Sequence, residues 1–193
     1  MNNVNVTPKV DFLTIHVFLD TNVIIHCKSF TEIDWEELFK EFGKKDIKIV
    51  IPYIVNKELD GLKGQNKKAR NVQSKLRDLR DTEFKNGITL NITVFPTTWN
   101  SLEPQWAENL DQNDPDCKII AEILVFKKNH LEDDVFFITG DNSPYFLAKE
   151  LGINTIFWRD DQYLSLFKPN KPKYRGPNRL TDLKICFENA VRK

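Results

Sequence analysis

What most constrains this chain is the alternation of two apolar patterns along it. Short runs rich in β-branched and aromatic residues, a composition that suits a pleated strand, occur at 15–19 (IHVFL), 47–51 (IKIVI), 90–95 (LNITVF), 135–138 (VFFI) and 153–157 (INTIF). Between them apolar residues recur every three or four positions, at 32–42, 53–63, 66–84, 115–130 and 143–151, which is helical spacing. Strands alternating with helices need right-handed crossovers, and these leave a parallel sheet covered on both faces. The expected fold is a three-layer α/β/α domain with a mostly parallel five-stranded sheet. No internal repeat or low-complexity tract competes with it.

At 193 residues one domain can bury roughly two-thirds of its unfolded surface, so the fold needs no staples. The longest apolar runs fall far short of the roughly 20 residues that span a bilayer, so no membrane segment is expected. The start, MNNVNVTPKV, lacks a basic segment followed by an apolar one, and a cytoplasmic location is the expectation. Cys27, Cys117 and Cys186 are odd in number, widely spaced and set among apolar neighbours, which fits reduced buried thiols. His16, His26 and His130 are scattered, and with no Cys/His cluster there is no zinc pattern.

The formal net charge of zero hides a segregation: from Lys168 onward eight Lys/Arg face two acids, a net +6. Residues 168–179, KPNKPKYRGPNR, read as an extended basic, Pro-rich tract. Thr181 or Asp182 then caps a last amphipathic helix built on Leu183, Cys186, Phe187 and Ala190. The chain is thus expected to form one domain over 1–167, with an extension over 168–193 whose helix packs on the same body. Residues 97–113, TTWNSLEPQWAENLDQN, hold two tryptophans without a clear period and suit a flap beside the strand ends.

Four acids fall where such a fold collects ligands. Asp20 ends the first strand run in HVFLDTNVII, and acids at strand carboxyl ends face the crevice where ligands bind in open α/β sheets. Asp141 lies just beyond the fourth strand in VFFITGDNSPYFLAKEL; Ser143 before Pro144 is the better helix cap, which leaves Asp141 free of that job. Glu58, in IPYIVNKELDGLK, falls on the apolar stripe of Ile54, Val55, Leu59 and Leu62 rather than opposite it with Lys57 and Asp60. Asp116, in NDPDCKIIAEILVF, precedes Ile119, Ile120 and Ile123 by three, four and seven, with Asp114 and Pro115 reading as cap and first-turn residue.

Each acid has an ordinary explanation alone: an Asx turn for Asp141, a favourable charge near a helix start for Asp116. Together they are harder to dismiss, because a carboxylate on a core-facing stripe needs a cation, a metal or a wet cleft. Several carboxylates in one crevice repel, and at neutral pH they either bind protons or hold divalent metal. Hard oxygen donors without His or Cys select Mg2+ or Mn2+ over zinc, and such ions serve phosphoryl chemistry.

In this order FLDTNVII, IVNKELDGLK, NDPDCKIIAEIL and FFITGDN resemble the motifs of the PIN-domain nucleases, over residues 14–158. The ELDGLK stretch with a basic helix after it is similar to the branch found in PhoH-like ATPases and nonsense-mediated-decay endonucleases, more than to the compact toxins of toxin–antitoxin pairs. The resemblance implies a sheet of order 3-2-1-4-5 and a metal-dependent endoribonuclease acting on single-stranded RNA. In it a metal-activated water attacks the phosphodiester in line and leaves a 5′-phosphate and a 3′-hydroxyl. Asp20, Glu58, Asp116 and Asp141 would share the Mg2+ or Mn2+, with Asn22 and Thr139 orienting ligands or water. Asp114 and Asp116 both flank the helix start and either can be the ligand; the stripe favours Asp116. Partners implied are single-stranded RNA and either a second copy, as a homodimer, or a regulatory protein, with the last helix as one available interface. The basic extension has no counterpart in the family pattern.

Between Lys63 and Arg80 seven basic residues stand against one acid, interleaved with an apolar stripe of Ala69, Val72, Leu76 and Leu79. Such a helix buries one side and offers Lys63, Lys67, Lys68, Arg70, Lys75 and Arg77 to phosphates, or simply to solvent. Trp99 and Trp106 can stack on unpaired bases or pack in the core. Two other readings compete with the nuclease. A silent PIN-like scaffold would bind RNA or protein without cutting. A phosphatase of the haloacid-dehalogenase type would want a second Asp where this chain has Asn22.

Overall fold

The structure is a computed structural model of the chain and describes residues 13–26, 30–43, 46–80, 82–85 and 88–158. Its sheet has six strands, β1 (Thr14–Leu19), β2 (Asp46–Ile51), β3 (Glu83–Lys85), β4 (Ile88–Ile92), β5 (Asp134–Thr139) and β6 (Asn154–Phe157), in the order β3-β4-β2-β1-β5-β6. The pairs β1/β2, β1/β5, β2/β4 and β5/β6 are parallel, and these five strands alone have the expected order 3-2-1-4-5. The addition is β3, antiparallel to β4 at the sheet edge. It corrects the reading of 66–84 as continuous helix, because the helix stops at Leu79 where Arg80 turns to ψ 130°.

β1 and β5 are each buried at five of six positions, the unbroken burial of central parallel strands. Val17 pairs with Phe136, and the Phe136 ring meets Phe39 and Phe42. His16 and Phe18 project from the other face of β1 and meet Phe126 of α6 (Pro115–Asn129). Helical layers thus lie on both faces, and the three-layer expectation holds.

The stretch 32–42 is not one helix. After α1 (Thr21–His26) the chain makes a 3₁₀ turn, Phe30–Glu32, then a single α turn, α2 (Trp35–Leu38), then another 3₁₀ turn, Lys40–Phe42. Buried Trp35, Phe30 and Phe39 direct this path, with the Trp35 indole donating to the Phe30 carbonyl at 3.0 Å. Then follow α3 (Tyr53–Leu62) and α4 (Lys67–Leu79), whose first N–H groups are closed by the Asn66 side chain. Residues 97–113 form a 3₁₀ turn, Trp99–Ser101, and a short helix, α5 (Pro104–Ala107), held down by buried Leu102 and Leu110. Trp99 and Trp106 pack partly buried against the core, so they anchor this segment rather than stand free for stacking. Helix α7 (Asn142–Glu150) is ended by Gly152 at φ 75°, a left-handed stop before β6.

Cys117 is a buried free thiol, as expected. Cys27, Cys186 and the whole extension 168–193 with its last helix lie outside the described residues. Among the described residues no helix is long and apolar enough to cross a membrane.

Candidate active site

The central strands deliver two acids side by side. Asp20 follows β1 directly and Asp141 comes two residues after β5, its parallel neighbour, so both emerge at the carboxyl edge of the sheet. The Asp20 backbone N–H still donates to the Ile138 carbonyl at 3.0 Å, which extends the pairing by one residue and fixes the acid to the sheet. Thr139, wholly buried, links the two: its hydroxyl donates to Asp20 Oδ2 at 2.8 Å and accepts the Asp141 N–H at 3.1 Å.

The first turn of α1 ties in a second pair. The Asn22 amide donates to Asp141 Oδ2, and the Thr21 hydroxyl donates to Glu58 Oε2 on α3. Asp116 stands in the first turn of α6, half-buried, and its N–H is taken by Oδ1 of Asp114 at 2.8 Å. Asp114 is therefore the helix cap, as its place before Pro115 suggested, and part of its carboxylate is committed to that bond. Asp141 occupies the cap position of α7 without its side chain bonding the helix. That corrects the expectation that Ser143 caps α7; the helix begins two residues earlier than such a cap would allow, and the Asp141 carboxylate is turned to Asn22 instead.

Electrostatics joins the four acids into one group. Asp20 is 3% exposed, and burial pushes its carboxyl up from 3.8 to about 6, against the bond from Thr139; the charges of Asp141 and Asp116 push the same way. The Asp116 carboxyl is also raised, first by burial and then by the charges of Asp114, Asp141 and Glu58. The charges of Asp141 and Asp116 thus reach Asp20, and those of Asp114, Asp141 and Glu58 reach Asp116. Glu58 is only half-buried: Val55 and Leu59 carry the buried face of α3, Leu62 is 36% exposed, and Glu58 sits at the border of that face.

Residues 17–157 match the sequence profile described as PIN domain, a span that takes in all four acids. The chain belongs to the PIN-domain family. No curated protein matches the chain in sequence. Among solved structures it is similar to a domain of a functionally unknown protein from Methanocaldococcus jannaschii DSM 2661, at 20% identity and a TM-score of 0.47, covering 84% of this chain and 99% of that one.

PIN domains are generally nucleases that use divalent metal, so the donor set of this PIN domain can be tested for fit. Its side chains are hard oxygen donors, and burial and like charges raise the carboxyl of the most buried of them to about 6, a penalty on its charge that a cation would relieve. The chemistry fits. Among the described residues, though, no group of three or more His, Cys, Asp or Glu is set to hold an ion as it stands. Asp20, Glu58 and Asp141 are each drawn to a protein donor, Thr139, Thr21 and Asn22.

Lys63, Lys67, Lys68, Arg70, Lys75 and Arg77 are all exposed, on α4 or at its approach, while Ala69 and Leu76 of the same helix are buried. The basic face follows directly on the helix that carries Glu58. Lys63 is paired with Asp60 at 2.5 Å, and the Arg70 guanidinium donates to the Lys63 carbonyl at 3.1 Å. Thr21 was passed over in the sequence because its place after Asp20 suits a helix start; its bond to Glu58 makes it part of the site. Glu122, a second buried acid on α6, was also missed, although an acid inside the apolar run IIAEILVF is itself a signal.

Proposed function

We propose that the protein is a Mg2+- or Mn2+-dependent endoribonuclease that hydrolyses phosphodiesters of single-stranded RNA in the cytoplasm, leaving a 5′-phosphate and a 3′-hydroxyl. The observation that carries the reading is Asp20: a buried carboxylate at a sheet edge, held against burial and against neighbouring carboxylates, where a cation removes both penalties. Asp20, Glu58, Asp116 and Asp141 would hold the ion, with Asp114 capping the helix beside them. The ion, when bound, supplies positive charge against the carboxylates and the phosphate and makes water a better nucleophile.

The remaining work falls to this chain's own groups. Thr139 fixes Asp20 and Asp141 relative to each other through one hydroxyl, Asn22 orients Asp141, and Thr21 orients Glu58. The exposed cations of α4 suit the phosphates on one side of the cut, where they give affinity without sequence preference. In the hydrolysis a water oxygen bonds to phosphorus and the bond to the 3′ oxygen breaks. The 3′ oxygen takes up a proton to become the hydroxyl. The basic helix after ELDGLK is the feature that supports the PhoH-like or nonsense-mediated-decay branch over the compact toxins. A second copy, as a homodimer, or a regulatory protein is the further partner proposed beside the RNA.

The test is cleavage of labelled single-stranded RNA in Mn2+ or Mg2+ by the wild type, Asp20→Asn and Glu58→Gln. Loss in both variants and in EDTA is expected. Cutting that persists in both, or that ignores EDTA, would sink the site; RNA binding without cutting in any metal would favour the scaffold.

A further inference from the structure

Glu122 is the buried acid that the site leaves unused. It lies six residues beyond Asp116 on α6, is 6% exposed, and accepts the Tyr53 N–H at 2.9 Å on Oε2 and 3.3 Å on Oε1. The Thr93 side chain gives it a further hydrogen bond, and Thr93 is itself held to the Ile51 carbonyl at 3.0 Å. Glu122 therefore stands where the chain leaves both β2 and β4 at their carboxyl ends.

The helix start that it closes has no cap of its own. α3 follows Pro52, which has no polar side chain to offer the first N–H groups. A Ser, Asn or Asp at that place would close the helix from within and leave its position relative to other helices undetermined. A carboxylate supplied from α6 fixes α3 against α6 as well. Those two helices carry Glu58 and Asp116. Glu58 is five residues on from Tyr53 and Asp116 six before Glu122, so about 7.5 Å and 9 Å of helix separate them from the clamp at about 1.5 Å per residue. An acid is a costly way to make this bond: burial raises the Glu122 carboxyl to about 7, against the bonds from Thr93 and Tyr53. The term that favours an acid here is the charge it places, when ionised, at a helix N-terminus, which an amide would not supply.

We propose that Glu122 is a positioning residue: by closing the start of α3 from α6 it sets the distance between Glu58 and Asp116, and with it the affinity of the site for its divalent ion. The part concerning the ion rests on the metal-dependent reading above; the clamp itself does not. A misplacement of about 1 Å at a reacting centre costs about 100-fold in rate, and loss of a group that orients metal ligands costs about 10- to 100-fold in metal affinity.

The experiment compares the full chain with Glu122→Ala, Glu122→Gln and Leu38→Ala, the last a buried change on α2, a helix that carries none of the four acids, which lowers stability. Three readouts are taken: amide hydrogen exchange, Mn2+ affinity by calorimetry, and kcat for RNA cleavage. Glu122→Ala should lose protection at Tyr53 and through the first turn of α3, bind Mn2+ about 10-fold or more weakly, and lose about 100-fold in kcat. Glu122→Gln, whose carbonyl can still accept the Tyr53 N–H, should keep that protection and bind Mn2+ within about 3-fold of wild type. Leu38→Ala should do neither. Protection of α3 unchanged in Glu122→Ala overturns the clamp. Protection lost with Mn2+ affinity equal to that of Leu38→Ala overturns its role in the site. If Glu122→Ala fails to fold, Glu122→Met, which fills the same space and cannot hold the Tyr53 N–H as a carboxylate does, takes its place with the same expected losses, and α3 protection or Mn2+ affinity equal to that of Leu38→Ala then overturns the proposal. A wild type that binds no Mn2+ defeats the nuclease reading, while the exchange data still decide the clamp.

Discussion

Replacing Asp20 with Asn should stabilise the metal-free protein while abolishing its use of metal. Asp20 is nearly inaccessible, and its carboxyl is raised from 3.8 to about 6, first by burial and then, against Thr139, by Asp141 and Asp116. The folded state then binds more protons than the unfolded state between about pH 4 and 6, so stability falls as pH rises through that window and stays low above it. A gap of about two units corresponds to about 3 kcal/mol at pH 8 and about 0.5 kcal/mol at pH 4. The Asn side chain keeps an acceptor for the Thr139 hydroxyl and carries no charge to set against Asp141 and Asp116. Urea denaturation in EDTA at several pH values measures the difference between variant and wild type. Its fixed part includes everything else the substitution does, but its change with pH reports the ionisation: the variant should gain about 2.5 kcal/mol relative to wild type between about pH 4 and 8. Saturating Mn2+ should close most of that gap, since an ion at about 100 times its Kd adds about 2.7 kcal/mol to wild type alone. A difference that does not move with pH would mean that Asp20 is not ionised against its surroundings, and the reasoning from burial to metal demand would fail.

Other outcomes follow from the same geometry. Thr139→Val removes the hydroxyl that Asp20 and Asp141 share; it should raise the Asp20 carboxyl further, cost about 1–3 kcal/mol at neutral pH and reduce cleavage, read by denaturation and by the acid limb of the rate profile. Lys67, Lys68 and Arg70 replaced together by Gln should weaken RNA binding alike for all sequences and flatten the salt dependence by about 0.7 for each phosphate no longer neutralised; an unchanged slope would return α4 to a solvated face. His16, buried with Nδ1 unpartnered and Nε2 3.0 Å from Asp133, has its pKa lowered first by burial, with Lys48 and His130 acting the same way and Asp133 opposing. Its folded value lies below 6.5, so its contribution to stability is present at higher pH and is lost as pH falls through the folded value; His16→Gln should show a weaker decline below about pH 6.5 in denaturation.

The parts of this fold that the sequence made legible are those where one force acts alone. β1, β2 and β5 are mostly apolar because both faces are covered, and the acids that follow β1 and β5 could be located to the residue. Helix faces were legible only to within about one position, or about 100° of rotation. That is why Glu58 was expected in the core and stands instead at its border, with Leu62 turned outward. The 32–42 stretch misled because packing of Trp35 and Phe39 overrides helical spacing. β3 gave no signal because a three-residue edge strand pairs on one side only and follows a helix without a marked stop. Thr21 and Glu122 were hidden for opposite reasons: Thr21 has an ordinary local job that masks a distant one, and the Tyr53 N–H that Glu122 accepts lies sixty-nine residues away.

The four acids do not share burial equally, and the inequality explains how such a site can exist before an ion arrives. Glu58 and Asp116 sit at borders of helix faces, where water still screens them, whereas Asp20 sits at a sheet end with almost none. Were all four as buried as Asp20, the penalty would be several times about 3 kcal/mol, comparable with the whole stability of a domain. Concentrating it on one acid keeps the apo fold viable. That acid is also the one bonded across the sheet to Thr139 and Ile138 on the neighbouring strand, so the penalty falls on a residue tied to the central strands and not on a loop that would relax away from it. A cation entering from the water side meets the screened acids first and the unscreened one last. The free energy it gains should therefore depend most on Asp20, and among single amide substitutions Asp20→Asn should lower Mn2+ affinity more than Glu58→Gln. Calorimetric titration of both variants in one buffer decides between this ordering and an equal share for each ligand.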